Sequence, residues 1–270
     1  MQRLLHSRKL IFNGNQHQYN TRYDLTKDGQ VKWAAGTGGH SHHWYSLSGA
    51  MFSMKGMKPL ALQYGWRAYD ANNGTSWAPP TYTVAKGMCV IQGLTRAGSN
   101  NSWGNTIAVT PKECRPKKRL MFHLNGNQWG MRVDLETNGR FAYHAGRTAN
   151  RTNTDWQSLT GMVFALTGHE NLPMHNGWRG QGGEWGTPTF AVNNGICIVS
   201  GLCHSALNQW GHMATLPGHC RPSRRLIFTL NNNFGQARVD VFQNGQVHFI
   251  TGNRDHKWLS FSGIQFAAKN

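Results

Sequence analysis

One segment of this chain, here called B, is written three times, and a second segment, A, is written twice between the copies. The first B copy (B1) carries Lys9-Leu10-Ile11-Phe12, Arg22-Tyr23-Asp24-Leu25, Asp28-Gly29-Gln30-Val31 and Trp44-Tyr45-Ser46-Leu47-Ser48-Gly49, and ends at Phe52. B2 carries Arg119-Leu120-Met121-Phe122, Arg132-Val133-Asp134-Leu135, Asn138-Gly139 and Trp156-Gln157-Ser158-Leu159-Thr160-Gly161, ending at Phe164. B3 carries Arg225-Leu226-Ile227-Phe228, Arg238-Val239-Asp240-Val241, Asn244-Gly245 and Trp258-Leu259-Ser260-Phe261-Ser262-Gly263, ending at Phe266. A1 runs from Trp66 through Pro79, Tyr82, Gly87, Cys89, Gly93-Leu94, Trp103-Gly104 and Pro111 to Cys114-Arg115-Pro116. A2 runs from Trp178 through Pro188, Phe190, Gly195, Cys197, Gly201-Leu202, Trp210-Gly211 and Pro217 to Cys220-Arg221-Pro222. Five ordered matches restrict the chain to architectures that use equivalent pieces.

Those pieces read as strands. The 270 residues include 32 Gly and only 11 acidic residues, and short apolar runs alternate with Asx-Gly and Gly-Gly turns. Asp28-Gly29, Asn138-Gly139 and Asn244-Gly245 favour the positive φ of a two-residue hairpin. In the strand before each turn, Arg132 and Asp134 share one face while Val133 and Leu135 share the other, and the other copies alternate alike. Each A reads as a hairpin, with Met88 to Leu94 and Thr106 to Thr110 flanking a polar loop. Opposed cysteines there predict Cys89–Cys114 and Cys197–Cys220 disulfides with Cys203 left over; the alternative is five reduced thiols in a cytosolic protein.

The expected class is all-β, with β-sandwich, jelly-roll-like or barrel-like modules in B-A-B-A-B order. The expected division is a lone B half-module over 1–53, a full A and B module over 54–165, and a second over 166–270. The lone B must pack on another unit, on a missing upstream A, or on a second chain. A closed, pseudo-symmetric arrangement would leave no open edge strand.

The pattern Gly-Leu, Trp-Gly, Leu-Pro, Cys-Arg-Pro, Arg-Leu-Ile-Phe, Arg-Val-Asp-Val, Asn-Gly-Gln-Val and Trp-Leu-Ser-Phe-Ser-Gly-Ile-Gln-Phe is carried best by Gly201 to Phe266 and less fully by Gly93 to Phe164. It resembles β-rich modules at the ends of phage and virus tail-fibre-type proteins and related extracellular lectin-like repeats. The resemblance concerns core and turn positions. By analogy it implies receptor or glycan recognition, and it brings no catalytic motif.

Candidate chemistry is sparse. Asp24, Asp134 and Asp240 each follow an Arg by two residues in every B copy, which predicts a structural ion pair; the same arginines could instead grip an anion. Among unrepeated acids, Glu184 lies in a Gly-Gly-Glu-Trp-Gly loop and is the best lone acid candidate. His40 and His42 would share a strand face and could hold zinc, copper or nickel. The corresponding loops of the other copies carry Arg151 and, in B3, Arg254 and His256, so side chains at this place are available for contacts.

Of 11 Trp residues, most recur between copies, which favours packing. Trp103 and Trp210 fall at hairpin loops, and Trp33 and Trp129 have no Trp counterpart, so these four are candidates to stack on a ligand. Three Asn-x-Ser/Thr sequons, at Asn73, Asn100 and Asn150, fall in expected loops. No zinc-type Cys/His spacing, nucleophile elbow or phosphate-binding glycine loop is present.

The formal net charge is +17, a field that attracts polyanions. No run of 18 apolar residues suggests a membrane span. The expectation is therefore a secreted or surface-displayed binding or adhesion module without a cofactor. It would recognise glycan or another acidic polymer, with homo-oligomerisation possible and specific nucleic-acid binding disfavoured for want of a motif. The alternative is a secreted, cofactor-independent enzyme, an oxidase, luciferase-like protein or hydrolase, with one aromatic, His-lined pocket.

Overall fold

The computed structural model describes residues 8–17, 19–36, 44–69, 77–97, 104–126, 129–146, 156–207, 209–232, 235–252 and 257–269. These residues form an all-β protein whose only helical pieces are three short 3-10 turns. Each B begins as a three-stranded antiparallel meander. The strands are Leu10–Gln16, Tyr19–Leu25 and Val31–Gly36 in B1. In B2 they are Leu120–Gly126, Trp129–Leu135 and Arg140–Gly146. In B3 they are Leu226–Asn232, Gly235–Val241 and Gln246–Gly252.

The registers coincide: Leu10 faces Leu25, Leu120 faces Leu135, and Leu226 faces Val241. The second pairing of each meander shifts register at the same place, after Arg22, Arg132 and Arg238. The Asx-Gly turns differ in length from expectation. Thr26 N–H donates to Gln30 O and Gly29 N–H to Thr26 O, so three residues, not two, form the loop. Glu136 with Arg140 and Phe242 with Gln246 repeat this closure. The glycine takes the left-handed position at its end, with φ of 80°, 92° and 89° in Gly29, Gly139 and Gly245.

The A segments are not single hairpins. Met88–Gln92 pairs with Thr81–Ala85 on one side and with Met162–Ala165 of B2 on the other. Thr106–Val109 pairs instead with Arg140–Gly146. Gly93 causes the difference: at φ 113° it turns the chain out of one sheet, and Leu94–Arg96 then joins another beside Trp156–Ser158. A Cβ on Gly93 would lie 2.1 Å from Pro79 O, so only glycine suits this corner. Gly201 makes the same corner in A2, at φ 117°.

Both expected disulfides are present, with Cα separations of 5.5 Å for Cys89–Cys114 and 5.3 Å for Cys197–Cys220. Each links a strand to a 3-10 turn, Lys112–Cys114 or Gly218–Cys220, rather than two strands of one hairpin. Cys203 is unbridged and buried.

A1 with B2 surrounds one apolar core, which includes Trp66, Ile91, Ile107, Phe122, Phe141 and Phe164. A2 with B3 surrounds a second, which includes Trp178, Val199, Met213, Phe228, Phe249 and Phe261. B1 contributes a much smaller cluster around Leu10, Phe12 and Tyr23.

The first strands of the three B segments meet in a ring, and equivalent side chains close it. Ser158 Oγ donates to Ile11 O (2.6 Å), Ser260 Oγ to Met121 O (2.6 Å), and Ser46 Oγ to Ile227 O (2.7 Å). Arg22 lies over Trp156, Arg132 over Trp258, and Arg238 over Trp44, at 5.1, 5.5 and 5.1 Å from the ring centroids. Near the centre of the ring, Asn15 Nδ2 donates to Thr229 Oγ1 (2.9 Å) and Asn125 Nδ2 to Asn13 Oδ1 (3.4 Å), while Asn231 Nδ2 sits 3.4 Å from His123 Nδ1.

The Arg-x-Asp pairs are structural. Arg22–Asp24, Arg132–Asp134 and Arg238–Asp240 close at 2.6, 2.6 and 2.8 Å, and the carboxylates of Asp134 and Asp240 are fully buried.

Candidate functional site

A strand places alternate residues on one face, and paired strands bring their partners into line. In the A1–B2 sheet this rule puts Arg67, Arg96 and Trp156 side by side on three adjacent strands. In the A2–B3 sheet it puts Arg179, His204 and Trp258 in the same order. In the first row two guanidinium groups sit directly opposite each other, and in the second a guanidinium sits opposite an imidazole.

Each row ends on an indole whose face is already covered by an arginine of the neighbouring B, Arg22 over Trp156 and Arg132 over Trp258. Tyr69 meets Trp156 edge-on, with centroids 6.4 Å apart. Arg67 and Arg179 are exposed, while Arg96, His204 and both indoles are partly so. The result is an accessible strip of basic side chains running into an aromatic edge, made twice. Its chemistry suits an anionic group beside an apolar ring face.

The two strips differ in charge. Arg179 Nε donates to His204 Nε2 at 2.8 Å, which requires that nitrogen to be unprotonated. Desolvation, and then the neighbouring Arg179, lowers the His204 pKa, so it is neutral at neutral pH. The A1–B2 strip carries two permanent charges at this place and the A2–B3 strip carries one.

An open cleft of about 370 Å³ lies near the A1–B2 sheet, lined by Gln63, Tyr64, Thr106, Val109, Asn138 and Arg140. Tyr64 is 72% exposed, at the tip of a turn closed by Trp66 N–H on Gln63 O. Trp178 N–H on His175 O closes the counterpart turn in A2. Beside that turn, His175, His212 and His248 stack with centroids 4.6 and 5.2 Å apart. Desolvation lowers the pKa of His212 and His248. Stacked imidazoles do not converge on a point, and among the described residues no three His, Cys, Asp or Glu are grouped to hold a metal ion.

Among residues singled out from the sequence, Trp210 is 49% exposed, just ahead of the strand Gly211–Thr215. Trp129 opens its strand partly buried. Trp33 stacks against Tyr45 with centroids 5.5 Å apart. Glu184 lies on the 3-10 turn Gly183–Trp185, and its Oε1 is 2.8 Å from Arg119 Nη1. Its backbone oxygen accepts the N–H of Arg119, so this acid fastens A2 to B2. Cys203 Sγ donates to Leu259 O at 3.3 Å, and burial raises its thiol pKa, so it is kept protonated within the core. Glu184 is on the surface and Cys203 in the interior, so these two do not share a pocket.

Trp103, Arg151, Arg254, His256, His40 and His42 lie outside the described residues, as do the three sequons. Arg67, Arg96, Arg179 and His204 were missed in the sequence because only the pairing of distant strands aligns them. Their one signal was position: a basic residue one after Trp66 and Trp178, and two after Gly93-Leu94 and Gly201-Leu202.

No family model, curated protein or solved structure matches the chain.

Proposed function

We propose that this protein is an extracellular binding module that holds an acidic glycan or similar acidic polymer along its two cation–indole strips. The observation that carries the proposal is the opposition of Arg67 to Arg96 beside Trp156, repeated as Arg179, His204 and Trp258. In the first strip two guanidinium groups meet on adjacent strands beside an indole, an arrangement that suits an anion held between them. The field of a chain with net charge +17 adds attraction at longer range. Six of the eight described acids are already paired with an Arg or Lys, and Glu170 lies beside His219, so few acids are left to neutralise the surplus of Lys and Arg. Two strips on one chain also allow a polymer to be held at both, so modest affinity at each adds up through avidity. Two disulfides are compatible with a secreted protein.

The test is a glycan array spanning neutral, sialylated and sulfated sugars, followed by a salt titration of the best binder. Binding to acidic glycans that weakens as salt rises is the expected result. Arg96→Ala should weaken it about tenfold while the chain stays folded, with a thermal midpoint within a few degrees of the parent. Silence on every acidic glycan, or binding indifferent to Arg96→Ala, would defeat the proposal.

A further inference from the structure

The ring of B segments has three seams, and two of them are filled by an A segment. A1 lies between B1 and B2: Ala78 N–H donates to Lys9 O, and Trp77 lies under Arg22 and Lys9 at 5.6 and 5.4 Å. A2 lies between B2 and B3: Arg119 N–H donates to Glu184 O, and Trp185 lies under Arg119 at 4.6 Å. The basic residue before B1 and the one before B2 each help to hold the A that grips that segment. Arg8 donates to Trp77 O, and Lys118 donates to Thr187 O and to Thr189 Oγ1. Among the described residues, neither A1 nor A2 lies in the third seam, between B3 and B1.

Apolar side chains on both walls of that seam are more exposed than their equivalents. On the B1 side, Val31 is 52% exposed where Phe141 and Val247 are 0%. Leu47 is 50% exposed where Leu159 and Phe261 are 0%, and Trp33 is 40% exposed where Tyr143 and Phe249 are at most 2%. On the B3 side, Leu226 and Ile227 are partly exposed where Leu10, Ile11, Leu120 and Met121 are buried, and Arg224 is exposed. Among the described residues Val31–Gly36 is the edge of its sheet, whereas Arg140–Gly146 and Gln246–Gly252 each have a further A strand alongside. The turn glycines agree. A Cβ on Gly139 or Gly245 would strike Thr110 O of A1 or Leu216 O of A2, at 2.6 and 2.3 Å, and one on Gly29 would meet nothing. Within B1 this leaves an apolar cavity of about 300 Å³, lined in part by Phe12, Tyr23, Leu25, Val31, Leu47 and Phe52.

We propose that the B3–B1 seam is a docking site for a third A-type polypeptide segment, from outside Met1–Asn270. The chemistry of the occupant follows from the filled seams. One of its strands pairs antiparallel with Val31–Gly36, as Thr106–Val109 pairs with Arg140–Gly146. An aromatic and several Val, Ile or Met side chains fill the cavity, as Trp66 and Ile91 or Trp178 and Val199 do in the other cores. An indole covers Arg225, whose side chain is 48% exposed, as Trp185 covers Arg119. A second copy of this chain does not supply the occupant, because its own A1 and A2 are consumed by B2 and B3.

Two measurements test this. The first is hydrogen exchange on the full chain as a monomer. The Val31–Gly36 amides on the open edge should exchange at least about tenfold faster than those of Arg140–Gly146 and Gln246–Gly252. Equal protection in the monomer would mean the edge is already covered within the chain, and would overturn the proposal. The second joins a copy of residues 166–223 ahead of Arg8, so that it enters B1 as A2 enters B3. The added copy should form its disulfide, resist protease, slow Val31–Gly36 exchange by at least about tenfold and raise the thermal midpoint by several degrees. Val31→Lys in the extended chain should abolish that protection, while leaving the unextended chain folded. An appended copy that folds yet leaves Val31–Gly36 exchange unchanged would overturn the proposal. So would a homodimer of the unextended chain that protects the same strand, since the occupant would then be a second copy.

Discussion

B1 and B2 are built on one plan and differ in what covers them. Their meanders share register, bulge and turn, and their serines and arginines occupy matching places in the ring. B2 has A1 across its sheet and buries Phe141, Leu159 and Met162 completely; B1 exposes Val31 and Leu47 by half. The comparison separates two jobs. The frame of a B segment is set by its own turns and by its neighbours in the ring. Its core is completed by an A.

The largest expected effects come from groups that burial has isolated from water. Asp134 is fully buried between Arg119 and Arg132, whereas Asp24 keeps 17% of its side chain exposed beside Arg22. Removing one partner of a buried pair strands the other, so Asp134→Asn should cost about 3–5 kcal/mol and Asp24→Asn about 1–2 kcal/mol in urea unfolding. Phe141→Ala should likewise cost about 3–5 kcal/mol, against under about 0.5 kcal/mol for the matching Val31→Ala. Equal losses in either pair would mean B1 is as well packed as B2, and would end the comparison.

The ring centre offers a sharper contrast, because one position is Asn13 in B1, His123 in B2 and Thr229 in B3. His123 lines a cavity of about 30 Å³ together with Asn13 and Thr229 and is enclosed by the three B segments. Its Nε2 is 3.2 Å from Asn20 Oδ1. Burial lowers its pKa from 6.5 to about 4. In the unfolded chain His123 takes up a proton as pH falls through its ordinary value, while in the fold it resists until about 4. Its neutral form therefore supports the fold fully above about pH 6.5, and between there and pH 4 stability falls by roughly 3 kcal/mol. His123→Thr, the B3 residue, should flatten that part of the stability profile. An unchanged acid slope would place the sensitivity elsewhere, as in the stack of His175, His212 and His248.

Much of this fold was legible in the sequence because repetition exposes the positions a structure depends on. The two disulfides and the Arg-x-Asp pairs were read from recurrence alone. What recurrence could not give was which strand lies beside which. Gly93 and Gly201 recur too, but a conserved spacing does not say that the chain turns there into another sheet. Without that corner, Arg67 and Arg96 are two basic residues 29 positions apart in an Arg-rich chain, not neighbours across a sheet. Trp33 reads as unmatched when Trp is compared with Trp, yet the register places it with Tyr143 and Phe249. The ring centre was hidden for a related reason: Asn, His and Thr share no pattern, only a place.

The smallest expected effect tests whether the third seam is weaker than the other two. Each seam carries one serine hydroxyl bonded to the backbone of the neighbouring B. For Ser158 and Ser260 the bond is buried, so replacement by Ala leaves Ile11 O or Met121 O without its donor and out of reach of water. Each should cost about 1–2 kcal/mol. Ser46 makes the same bond to Ile227 O, but at a partly exposed seam, where water can take the place of the hydroxyl. Ser46→Ala should therefore cost under about 0.5 kcal/mol. Filling the third seam with an A-type segment should raise that cost toward the other two, because the same bond would then be shut away from solvent.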